Sequence, residues 1–108
     1  MTYGIRAASV ILLGAIFVAG PTYSQAPGAD TYKAKCLSCH GVDGQAATPL
    51  GKSWKILPMK DSAMVHASDA RLIASTTNGK GSKMPAYKGK LTDAQIKDVV
   101  LYMRTLEK

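Results

Sequence analysis

Cys36-Leu37-Ser38-Cys39-His40 constrains this chain more than any other feature, and its two cysteines are the only ones present. A disulfide between them would close so short a loop that it adds little, because loop-closure stabilisation grows with loop length. Yet the chain needs a staple. It has 108 residues and 46% of them are hydrophobic, but 15 of those 50 fall in residues 1–24, together with the only Phe, Phe17. Residues 25–108 hold the other 35, of which 11 are Ala, and their only large rings are Trp54, Tyr32, Tyr87 and Tyr102. A single core in a chain of ~80 residues seldom yields more than about 3–5 kcal/mol unaided. The length excludes two domains, and no repeat points to a solenoid.

The first segment reads as an address. Arg6 is the only charge before Asp30, an apolar run follows from Ala7 to Ala19, and Gly20-Pro21 breaks it. A basic start, a short apolar run and small residues beyond it describe a secretory signal peptide. The run is short for a membrane span, which needs about 20 residues. We therefore expect a signal peptide over residues 1–24, cut after Ser24, with retention as a membrane anchor as the alternative. The folded domain, residues 25–108, is then expected in the periplasm.

Charge speaks to partners rather than to fold. Lys+Arg number 14 against 7 Asp+Glu, a net of +7, and 11 of the basic residues are Lys. Scarce Arg, export and the lack of a basic run argue against nucleic acid. Acidic protein surfaces fit better, and a membrane is expected only if the first segment is retained.

Three chemistries use a Cys-x-x-Cys spacing. A thioredoxin-like redox pair needs a βαβ context, and no segment here shows strand alternation. A zinc site needs further ligands, and the only other His is His66. Cys-x-x-Cys-His is the attachment signature of c-type haem. Two thiols three positions apart on a helical turn reach two carbons on one edge of the porphyrin, and the next residue, His40, lies under the iron as an axial ligand. A covalently held haem is also the missing staple.

The remaining signals are helical. Asp30 to Cys39 reads as a short helix with Asp30 as its cap. Residues 45–66 show no sustained period and read as loop with at most a short helical turn. Ser68 caps a second helix that Asn78-Gly79 stops. Thr92-Asp93-Ala94-Gln95 is a capping box, followed by the stripe Ile96, Val99, Val100, Met103 and Leu106. Between these two helices lies a Gly/Lys-rich loop. It contains Met84, an apolar residue that packing there does not explain, stiffened by Pro85. A thioether is a soft ligand suited to haem iron, so Met84 is expected as the second axial ligand. Met59 and Met64 read as gap fillers beside the haem, Met103 as core, and His66 as a surface residue.

With these motifs in their order, residues 29–108 resemble a class I, single-haem, His/Met cytochrome c of the short periplasmic bacterial type. The resemblance implies an all-α fold: three main helices and loops wrapped around one haem c bound through Cys36 and Cys39, with His40 and Met84 on the iron. It also implies that the first and last helices cross with Tyr32 against Tyr102, and that the Pro49 carbonyl accepts the His40 ring N–H. Trp54 either packs on the haem, bonds a propionate, or is the largest core side chain. The implied function is one-electron transfer between redox proteins, by a monomer that is not an enzyme, with Lys35, Lys52, Lys80 and Lys83 steering acidic partners. Two rivals remain: a relay subunit of a larger membrane-associated oxidoreductase, and a small peroxidase using His66.

Overall fold

The computed structural model describes residue 4, residues 11–17, residue 20 and residues 26–108. The targeting segment expected over residues 1–24, with its cut at Ser24, lies largely outside the described residues. Those described in it, residue 4, residues 11–17 and residue 20, carry no helix. No described helix is long and apolar enough to cross a membrane.

Among the described residues the elements are all helical: α1 (Ala29–Lys35), α2 (Leu37–His40), α3 (Pro49–Ser53), α4 (Ser62–Val65), α5 (Asp69–Asn78) and α6 (Asp93–Arg104). Strand-like pairing is confined there to two isolated bridges, Lys80 with Met84 and Lys88 with Leu91.

The last two helices start where their caps predict. The Gln95 N–H donates to Thr92 Oγ1 at 3.1 Å and the Thr92 N–H donates to Gln95 Oε1 at 2.9 Å, a complete capping box. The stripe of α6 then buries Ile96, Val99, Val100 and Met103. Ser68 caps α5 by accepting the Arg71 N–H at 3.1 Å.

The first helix differs from expectation. Its cap is Gly28, at φ 86°, and Asp30 lies inside the first turn without capping it. The cause is tertiary. A Cβ at position 28 would sit 2.5 Å from the Asp98 carbonyl carbon and 2.8 Å from the Val99 Cα, so α1 begins where its backbone rests on α6. The helix also breaks at Cys36, whose φ is −117°, before α2 resumes. Tyr32 is buried on α1 and its ring meets Tyr102 of α6 at 5.3 Å with a 55° tilt. Its hydroxyl donates to the Gly41 carbonyl at 2.6 Å, so the crossing holds the end of the cysteine segment.

The stretch expected to be mostly loop contains two helices, not one turn. Thr48 caps α3 ahead of Pro49 at the first position, and Asp61 Oδ1 accepts the Ala63 N–H at 2.9 Å to start α4. At five and four residues they are too short to display a period. Arg104 anchors this side. It pairs with Asp69 at 2.8 Å and Glu107 at 2.6 Å, and it donates to the carbonyls of Met64, Val65 and Ala67.

Two outcomes follow. Thr92→Ala removes the α6 cap and should lower stability by about 1 kcal/mol in chemical denaturation. Tyr32→Phe removes a buried hydrogen bond and leaves the Gly41 carbonyl with the Gly44 N–H alone, at 3.2 Å, and should cost about 1 kcal/mol at neutral pH. Burial, then the neighbouring Cys36, holds the Tyr32 phenol well above its ordinary value of 10.0. The unfolded chain therefore ionises first, and this contribution is lost as pH rises above about 10. The gap between wild type and Tyr32→Phe should narrow over that range.

Candidate haem site

The cysteine segment, the Met84 loop and the faces of α5 and α6 enclose a cavity of about 240 Å³. Cys36, Cys39, His40 and Met84, separated by up to 48 positions in sequence, all line it. Its walls are apolar, with Met59, Met64, Leu72 and Met103 among them, and no Asp or Glu is among its lining residues.

Each functional side chain has a local reason for its place. The break at Cys36 turns α2 so that both thiols and the His40 ring face one space. Both cysteines are free thiols, Cys36 buried and Cys39 half-buried. Burial, then Cys39, pushes the Cys36 thiol up to about 11. Behind the motif, Thr48 Oγ1 donates to the Cys39 carbonyl at 3.0 Å and the Ala46 N–H donates to the His40 carbonyl at 2.8 Å. Gly51 allows this packing, since a Cβ there would lie 2.6 Å from the Cys39 carbonyl oxygen.

Burial lowers the His40 pKa below its usual value, which keeps the imidazole neutral. Its Nδ1 is buried and has no hydrogen-bond partner. The bond expected from this nitrogen to the Pro49 carbonyl is therefore not formed. Pro49 is the first residue of α3, and a carbonyl there points along the helix axis. With Nδ1 sealed, Nε2 is the ring nitrogen left for the cavity.

Met84 is presented by a tight loop. Lys80 and Met84 exchange backbone hydrogen bonds at 3.0 and 3.3 Å. Gly79 makes this approach feasible: it has φ 76°, and a Cβ would lie 2.7 Å from the Met84 carbonyl oxygen.

Other expectations sort clearly. Met59 and Met64 do line the cavity, and Met103 serves both core and cavity. Lys35, Lys80 and Lys83 reach the lining, whereas Lys52 does not. His66 is exposed, with Nδ1 2.7 Å from the Ser62 carbonyl, and is not part of the cavity. Trp54 is not the core side chain that its size suggests. It is half-buried, lies outside both the core cluster and the cavity lining, and has Lys83 Nζ 6.0 Å from its ring centre. The chain turns through a left-handed Lys55, φ 52°, and Ile56 and Leu57 form the wall instead. Sequence reasoning missed Tyr87, a buried ring in the lining whose hydroxyl donates to the Lys35 carbonyl at 3.0 Å. An aromatic residue three positions after Met84 was the available signal.

Two free thiols on one side, a neutral histidine, a thioether from a separate loop and apolar walls fit a flat apolar ring attached at two points.

Comparison with known proteins agrees. The family profile described as "Cytochrome C oxidase, cbb3-type, subunit III" matches residues 24–103. A cytochrome c6 from a Synechocystis species is 34% identical, over 94% of this chain and 83% of its own length. The cbb3-type cytochrome c oxidase subunit FixP of Azorhizobium caulinodans is 32% identical over 81% of this chain. The chain spans less than a third of the length of this and similar cbb3-type relatives. The solved structure titled KustC0563 c-type cytochrome superposes with a TM-score of 0.69 at 33% identity, over 75% of this chain and 98% of that one.

The loop geometry is testable. Gly79→Ala should lower stability by at least about 1–3 kcal/mol, since strain at positive φ adds to the clash with the Met84 carbonyl. Gly81→Ala, whose added carbon meets nothing within 4 Å, should lose less in the same denaturation series.

Proposed function

The chain belongs to the c-type cytochromes, within the family described by cbb3-type oxidase subunit III, and from that membership we propose that it is an exported one-electron carrier whose haem c is held by Cys36, Cys39, His40 and Met84. The observation that supports this most is that these four residues meet at one apolar cavity. Haem c, when bound, supplies the redox chemistry through its iron. Cys36 and Cys39 would hold the ring by thioether bonds, and His40 Nε2 and Met84 Sδ would bind its iron. Two protein ligands kept in both oxidation states would leave the chain little to rearrange, and pairing a thioether with an imidazole would raise the potential. Met59, Met64, Leu72 and Met103 keep water from the ring.

Lys35, Lys80 and Lys83 stand around the cavity with no acidic residue among its lining. They attract redox partners with acidic docking surfaces, which favours fast and short-lived encounter. In this reading the carrier acts as a monomer in the periplasm, and residues 25–108 form its cytochrome c domain. A second reading, a relay subunit of a larger oxidase, draws support from the matched family and from the much greater length of its cbb3-type relatives. Size-exclusion of native extract at moderate salt separates them: free elution supports the carrier, and co-elution with a large complex supports the relay.

The site reading has direct tests. Produced with a haem-attachment system, the protein should keep haem on a denaturing gel, and the Cys36→Ser, Cys39→Ser double variant should lose it. Met84→Ala should convert a low-spin ferric spectrum to high-spin and lower the reduction potential. A wild type already high-spin and five-coordinate would sink the proposed ligation. The rate of electron transfer to an acidic partner should fall as salt rises from 0.01 to ~0.15 M, because the Debye length shrinks from about 30 to 8 Å.

A further inference from the structure

The break between α1 and α2 strands a backbone acceptor. In a continuous helix the Cys39 N–H would bond the Lys35 carbonyl. Here the N–H groups of Cys39 and His40 both donate to the Cys36 carbonyl, at 3.3 and 2.9 Å. Among the described residues, the Lys35 carbonyl accepts only from the Tyr87 hydroxyl, at 3.0 Å.

Tyr87 is itself fixed from the other side. Its N–H donates to the Thr76 carbonyl on α5 at 3.1 Å. Its carbonyl accepts the N–H groups of Lys90 and Leu91 at 2.9 and 3.0 Å. Only Pro85 and Ala86 separate it from Met84, and Pro85 stiffens that connection. Among the described residues, this phenol makes the one hydrogen bond that links the loop of residues 79–90 to the cysteine-bearing segment.

We propose that Tyr87 is a positioning residue for Met84: its bond to the Lys35 carbonyl latches the Met84 loop to the cysteine segment and sets how readily an outside ligand displaces Met84. The inference rests on Met84 as axial ligand. When the loop is latched, the phenol and the carbonyl satisfy each other. When Met84 is displaced and the loop swings away, water can hydrate both. Tyr87→Phe keeps the ring's packing but leaves the carbonyl unpaired only in the latched state, so it narrows the gap between the two states.

The test is an imidazole titration of the ferric holoprotein, followed by loss of the methionine-to-iron charge-transfer band. Tyr87→Phe should bind imidazole roughly tenfold more tightly than wild type, the fold-change equivalent to about 1.4 kcal/mol. Ser68→Ala, which removes the cap at the end of α5 away from the loop, should leave imidazole affinity within about twofold. Unchanged affinity in Tyr87→Phe, with the charge-transfer band present in wild type, overturns the latch alone. Equal tightening in Ser68→Ala also overturns it, because the effect is then global stability. A wild-type ferric spectrum without the band overturns the ligand reading, and the latch falls with it.

Discussion

The close approach of α1 to α6 at Gly28 is the contact on which the remaining architecture depends. Two helix backbones meet there with no side chain between them, and a Cβ would overlap the Asp98 carbonyl and the Val99 Cα. Once α1 rests on α6, Tyr32 falls against Tyr102 and its hydroxyl reaches the Gly41 carbonyl. That bond fixes the far end of the cysteine segment, and with it the direction in which His40 faces. Cys36, Met59, Leu72 and Met103 then join the same buried cluster as Tyr32 and Val99. The apolar core and the haem cavity are two sides of one packing unit.

The other half of the cavity is held by polar contacts at its rim rather than by burial. Arg104 gathers Asp69, Glu107 and three carbonyls between Met64 and Ala67, so the C-terminal end of α6 anchors the wall that carries Met64. The loop carrying Met84 closes by its own backbone pairing at Lys80 and by the bonds that run from Tyr87 and Lys88 to α5. Such loops open more readily than buried helices, which suits the proposed role of holding one ligand without contributing much core.

Much of this was legible in advance, and for identifiable reasons. The cysteine motif, the caps at Ser68 and Thr92 and the α6 stripe are local, so adjacent residues suffice to reveal them. Met84 was legible because an apolar residue in a polar loop lacks a packing explanation. The failures were those that depended on distant neighbours. Asp30 has cap chemistry, but contact with α6 moved the start of the helix to Gly28. Trp54 has the volume of a core residue, but the turn at Lys55 passes the wall to Ile56 and Leu57. Thr48-Pro49 and Asp61 are sound start signals whose helices are too short to show a period.

The sequence by itself determined the chemistry on offer: two thiols and a histidine at attachment spacing, a soft thioether in a stiffened loop, and too little apolar volume for a core without a cofactor. Those properties are set by residue type and short spacing, and no rearrangement of the chain alters them. Only the tertiary structure decided how the pieces are held. The His40 Nδ1 is sealed without the Pro49 carbonyl, Arg104 gathers the Met64 wall, and Tyr87 bonds a carbonyl 52 positions away. Such pairings depend on which backbone groups a fold leaves unsatisfied, and that is settled only when the helices have met.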